Sequence, residues 1–278
     1  MASDVDTDRE WYGQFYSQEV TCTEPLPPAM IERYTSLPHP QLYSLERLYQ
    51  LAGNVEAKNI LYIACGIENS GILFALKNAK VTMADVAIEA LRRQETMAQI
   101  NGVRDRVHLV VCAAQQLPFR CSSFDMVIGV GIWHHLQDDL LTPASEVARV
   151  LKTDGCALFS EPIARNGFLQ WIRKYVPIEP PRSASPVCRP LAKDALNAFA
   201  PQFIIEANYF KFLSRFDRLL LPDRKKWWRK RMIHLLYWLD NLVLCLPALD
   251  HLAGVVVFKL THRISSGTVD FKAIPDAP

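Results

Sequence analysis

The apolar run Ile60–Ala64 stops at Cys65-Gly66, and the stretch reads ILYIACGIENSG. A strand that turns through glycine into a helix lets backbone approach a nucleotide-like ligand closely. Asp85 closes the next apolar run, KVTMADV, about 20 residues on, where an acid can accept hydrogen bonds from ribose hydroxyls. The same acid suits the N-cap of the segment that starts at Ala87. His134 and His135 follow a later apolar run and are candidate general bases near neutral pH, with packing of that turn as the alternative. Glu161 ends the run CALFSEP; it either orients a substrate hydroxyl or bonds local backbone. Tyr12, Phe15 and Tyr16 form an aromatic cluster near the N-terminus, readable as a lid over a site or as a staple of the first helix.

These residues need elements to hold them. NILYIAC, KVTMADV, RVHLVVC, FDMVIGVGI and CALFSEP read as strands, mostly apolar without alternation, as strands buried on both faces do. NSGILFALKNA and AIEALRRQETMAQINGV read as helices, the second stopping at Asn101-Gly102, and PASEVARVLKTDG as a helix reaching Gly155. Strands alternating with helices argue for a parallel sheet with helices on both faces. QFIIEANYFKF and AGVVVFKLTH, at 202–212 and 253–262, read as a late antiparallel pair. The expected architecture is a single α/β domain with a Rossmann-like, seven-stranded, mostly parallel sheet. Residues 1–55 form a helical lid, 56–162 a ligand-binding core, 163–252 a helical cap, 253–262 the last strand and 263–278 a tail.

The LPF, FD and HHL elements and the helix pattern E-x-x-R-V-L-K-x-x-G within 112–162 resemble class I S-adenosylmethionine-dependent methyltransferases, notably the ubiquinone/menaquinone-type and small-molecule group. The resemblance covers about residues 58 to 162 and implies S-adenosylmethionine as cofactor. It places Ala64, Cys65 and Gly66 under the methionine part, Asp85 on the ribose, Val86 beside the adenine, Ala113 and Ala114 at the adenine amino group, and Gly129 and Gly131 beneath the sulfonium. His134 and His135 become candidate catalytic bases, and Tyr12, Tyr16, Trp133 and Glu161 candidate acceptor contacts. The chain departs from the family pattern at Tyr62, where an acid is usual, at Ala64 and Glu68, where glycine is usual, and at Ala113, where Asp is usual. A carboxylate at Glu68 competes for the amides at the start of the next helix unless it turns away. The resemblance therefore leaves two function classes: a working methyltransferase acting on a hydrophobic or amphiphilic small molecule in biosynthesis, or a methyltransferase-fold protein that transfers no methyl, such as a cyclase-like enzyme or a binding subunit.

Composition narrows the partners. Thirty-one basic and 29 acidic residues leave a net charge of +2, so no global field favours nucleic acid. Seven cysteines without a CxxC pair suit a reducing compartment and a cytoplasmic protein, and no HxxxH or Cys/His spacing suggests a metal. The N-terminus has no apolar core for a signal peptide, and Asp240, Asn241, Pro247 and Asp250 interrupt the longest apolar stretch. RKKWWRKRM, Arg224 to Met232, holds six basic residues and two tryptophans. It reads as a peripheral membrane contact or as a solvated basic face whose tryptophans pack on the core.

Overall fold

The computed structural model describes residues 4–18, 24–36, 43–167, 188–192, 194–214, 227–246 and 249–263. Three helices come first: α1 (Asp4–Gln18), α2 (Pro28–Thr35) and α3 (Ser44–Ala52). An alternating region follows, with β1 (Asn59–Ile63), α4 (Ser70–Leu76), β2 (Lys80–Asp85), α5 (Ile88–Ile100), β3 (Val107–Val111), β4 (Phe124–Val130), α6 (Leu141–Val150) and β5 (Leu151–Ala164). Then come a short β6 (Leu191–Ala192), β7 (Phe203–Phe210), α7 (Trp227–Leu244) and β8 (Val255–His262).

The sheet runs β3-β2-β1-β4-β5-β8-β7, with β6 paired to β5 off that path. The first five strands of this path are parallel; β8 pairs antiparallel with both β5 and β7. The sheet has eight strands, one more than the sequence pattern suggested. The addition is β6, whose two residues are too few to show a period, paired parallel through Ile163 and Leu191.

Burial explains why the strands lack alternation. In β1, Ile60 and Tyr62 join one core layer with Leu48, Tyr49, Ile72, Phe74 and Met97 of α3, α4 and α5. Leu61 and Ile63 point to the other layer, with Ala144 and Val147 of α6. Successive side chains face opposite ways, and both ways are dry. Two expectations need correction. The helix expected to reach Gly155 ends at Val150, because Leu151 pairs with Phe124 and joins the sheet. Residues 1–55 do not act as one cover either. Among the described residues of that segment, α1 alone lines the large cavity, whereas α3 packs on β5 and β8 and buries Leu48 and Tyr49 in the core.

Candidate functional site

A cavity of about 540 Å³ opens at the carboxyl ends of β1, β2, β4 and β5, where open parallel sheets hold ligands. Its floor is the turn Ala64–Glu68, its sides are Asp85, Val86, Cys112, Ala114, Gly131, Ile132 and His134–Leu136, and α1 covers it with Asp8, Tyr12 and Tyr16. Those three α1 residues are spaced four apart and so share one helix face.

The turn keeps its shape at a cost. Ala64 and Gly66 both have positive φ, 47° and 48°. Glycine adopts that region freely, but the Cβ of Ala64 is strained there. A Cβ at Gly66 would lie 2.8 Å from the Tyr16 hydroxyl, so this glycine is required on two counts. Three side chains brace the turn. Gln94 of α5 donates to the carbonyls of Gly66 and Glu68, both at 2.9 Å. Asp85 accepts from the Gly66 amide at 2.8 Å and from the Ala87 amide at 2.9 Å, so it is both turn support and N-cap. Glu68 folds back: its Oε2 accepts from Tyr62 at 2.7 Å and from the Ser70 amide at 2.8 Å.

This last pair accounts for two departures from the family pattern at once. An acid is missing at position 62 and a carboxylate is added at 68, and the Tyr62 hydroxyl ties them together. The Glu68 carboxylate is thereby held by its own turn and takes one amide, that of Ser70. Gln94 escaped the sequence reading; its signal was a polar residue on the inward stripe of α5, between the buried Leu91 and Met97.

Asp85 is 6% exposed and lines the cavity. Burial pushes its carboxyl above the usual carboxylate range, against the lowering pull of the Ala87, Gly66 and Val86 amides. A carboxylate has about four lone-pair sites, so these amides leave it room to accept a further donor from the cavity. Burial, then the Asp85 charge, raises the neighbouring Tyr16 hydroxyl and Cys65 thiol as well, and pushes the Cys112 thiol up to about 11.

The other wall hangs on Glu161. This residue is fully buried and accepts from the amides of Ile132 at 2.7 Å and Trp133 at 3.0 Å. Its Oε2 lies 2.9 Å from Nδ1 of His134. Glu161 therefore does not reach the cavity; it sets the turn and the ring of His134. Trp133 is also not a cavity wall: it is fully buried, edge-on to Phe159 and Phe199 at 5.0 and 4.6 Å. Gly129 sits below the cavity, where a Cβ would meet Ile132 and Phe159, both at 2.9 Å. Ala113 does not line the cavity, whereas Ala114 does.

His134 and His135 both line the cavity, their rings 4.1 Å apart. They differ in what holds them. With His134 Nδ1 against Glu161, Nε2 is the nitrogen left to take a proton. His135 is engaged by the cover, with Nε2 3.3 Å from the Tyr12 hydroxyl and Nδ1 3.1 Å from Asp8. Cys188, just before β6, completes a cluster with the two histidines whose ligand atoms lie within 4.8 Å of one another. Two imidazoles and a thiol are donors of the kind that hold zinc. The expectation of no metal spacing missed this cluster, because Cys188 lies far along the chain and reaches the histidines through the pairing of β6 with β5.

The family comparison bears on this site directly. A family model described as a methyltransferase domain matches residues 60–155, the segment from β1 into β5. Residues 60–155 are thus similar to a methyltransferase domain. The sheet has the architecture of class I S-adenosylmethionine-dependent methyltransferases, and solved structures agree on that fold. Geranyl diphosphate C-methyltransferase from Streptomyces coelicolor superposes with a TM-score of 0.58 at 13% identity, covering 92% of this chain and 98% of that one. Phosphoethanolamine N-methyltransferase 2 from Haemonchus contortus gives 0.56 at 17% identity, covering 94% of this chain and 60% of that one. A curated relative, an uncharacterized protein of Haemophilus influenzae, is 29% identical over 108 residues, 38% of this chain. The match spans 43% of that relative's length. Asp85, His134 and His135 fall inside the matched segment, whereas Asp8 and Glu161 lie outside it.

Proposed function

We propose that the chain is an S-adenosylmethionine-dependent methyltransferase acting on a hydrophobic or amphiphilic small molecule of a biosynthetic pathway. The observation that carries this reading is Asp85: a buried carboxylate beside a positive-φ glycine turn, on the carboxyl edge of a methyltransferase-domain sheet. The residues present fit the cofactor. Asp85 would take the ribose hydroxyls, Val86 and Ala114 would border the adenine, and the Ala64–Gly66 turn would hold the methionine part.

When bound, the cofactor supplies a methyl group already activated on a sulfonium. The chain's own residues position and deprotonate. Apolar walls at Ile132, Leu136 and Pro162 exclude water from the acceptor. His134, its Nδ1 held by Glu161, takes the acceptor's proton at Nε2. Asp8 and Tyr12 hold His135 and close the cover from α1. An acceptor of amphiphilic character fits an apolar cavity and a peripheral membrane contact through the Arg224–Met232 run, of which residues 224–226 lie outside the described residues.

The non-methylating alternative is favoured by one observation, the strained Ala64 in the cofactor turn. Calorimetric titration with S-adenosylmethionine and S-adenosylhomocysteine separates the readings. The proposal expects dissociation constants in the micromolar range for both. No heat with either ligand removes the methyltransferase reading and leaves the fold.

A further inference from the structure

Helix α7 has two opposed faces. Tyr237, Asp240 and Leu244 are buried, at helical spacing. Around the other side Trp228, Met232, Leu235, Trp238, Leu242 and Leu246 are all exposed, the last just past the helix end, with Leu242 at 58% and Trp238 at 48%. Trp227, at 67%, begins the same stripe. At the turn angle of a helix these side chains span an arc of about 140°. The tryptophans do not pack on the core, which disposes of the alternative considered for them.

The charges of this segment are sorted as well. Asp240 is the only acid from 224 to 246, and it faces inward. It accepts from the amides of Phe212, Leu213 and Ser214 and from the Ser214 hydroxyl. The outer side carries no acid. Arg231 is exposed there, 4.9 Å over the Trp227 ring, and Arg229 lies 5.0 Å over Trp228. Arg224, Lys225 and Lys226 come just before the helix in sequence.

We propose that this face of α7 docks the protein on an anionic lipid bilayer, with the helix lying in the plane of the headgroups. Tryptophan and leucine suit the boundary of the acyl region, and arginine pairs with anionic headgroups. Among the described residues no helix is long and apolar enough to cross a membrane, so the contact is peripheral. A second copy of the chain is the poorer occupant. A two-fold contact sets the same patch against itself, which brings Arg231 to a surface without an acid to receive it. The docking face is longer than the basic run Arg224–Met232, extending some four helical turns further to Leu246.

Its position suits the cavity. Asp240 ties α7 to the chain just past the end of β7, where Phe210 pairs with Val255 and Val255 with Pro162, a cavity wall. Docking sets that sheet edge toward the bilayer. The inference stands apart from methyl transfer, because binding is read without cofactor or acceptor.

The test is co-sedimentation of the full chain with vesicles of phosphatidylcholine alone and of phosphatidylcholine with about 30 mol % phosphatidylglycerol. The expected result is binding to the anionic vesicles with a blue shift of tryptophan emission. Binding should weaken on the order of tenfold on neutral vesicles or when salt rises to about 0.5 M. The double variant Leu235→Glu, Leu242→Glu should lose binding by on the order of tenfold or more, with an unchanged melting temperature because both side chains are exposed. Protein that stays in the supernatant with both vesicle types overturns the proposal. So does binding that survives the double variant. A dimer in solution that the double variant splits, without vesicle binding, overturns it and assigns the face to a second copy.

Discussion

Asp85 and Glu161 are both buried carboxylates at the carboxyl edge of one sheet, at or near the ends of β2 and β5, yet they serve different ends. Asp85 accepts two amides, lines the cavity and has lone pairs to spare. Glu161 spends its oxygens on Ile132, Trp133 and His134 and does not reach the cavity. Place in the fold did not set the two acids apart. The count of protein donors around each carboxylate did. An acid with capacity left over can grip a ligand; a saturated one shapes the wall.

The contrast can be broken at several points. His134→Gln removes the base that Glu161 orients and should cut methyl transfer by about 10²- to 10³-fold with cofactor affinity intact. His135→Gln, whose ring is engaged by α1, should cost less. Release of S-adenosylhomocysteine over a panel of amphiphilic acceptors reads both. Equal losses would mean that the two rings share one role. Glu161→Ala strips the acceptor from two buried amides and should destabilise the fold by about 3 kcal/mol. A thermal melt should then fall by about 6 to 12 °C, more than for Asp85→Ala.

Ala64→Gly relieves the positive φ and should stabilise the chain by about 0.5 to 1 kcal/mol, whereas Ala64→Val should destabilise it. Denaturant titration of the three forms checks the order. The smallest effect concerns pH. Burial raises the folded-state carboxyl of Asp85, so its contribution to stability is fullest below the unfolded-state value and is lost as pH rises through the folded-state value. Asp85→Asn should flatten the stability profile above the unfolded-state aspartate value of about 4, with the variant gaining relative to the parent at the alkaline end.

The comparison also shows what a sequence can carry. The strands from β1 to β5, the late antiparallel pair and the place of Asp85 at the end of β2, beside the cavity, were all legible, because both-face burial and a strand-terminal Asp leave their mark in residue order. Glu161 and Trp133 were legible in place but not in role. Each ends a hydrophobic run, and nothing in the order of residues says whether such a side chain turns to the cavity or to the packed layer. The 3-10 turn at Trp133–His135 decides that, by sending Trp133 to Phe199 and His134 back to Glu161. The Cys188 cluster and the exposed stripe of α7 were hidden for a different reason. One depends on a two-residue strand, and the other on which side of a helix the sheet chooses to cover.

The claim beneath this account is that ligand capacity resides in Asp85 and wall support in Glu161. Calorimetric titration of S-adenosylhomocysteine into Asp85→Asn and Glu161→Gln tests it most directly. The account predicts that Asp85→Asn weakens binding by on the order of tenfold or more, since a charged acceptor contributes about 1.5 to 3 kcal/mol, while Glu161→Gln binds within about twofold of the parent. Equal weakening in both variants, or an unchanged affinity in Asp85→Asn, would contradict it.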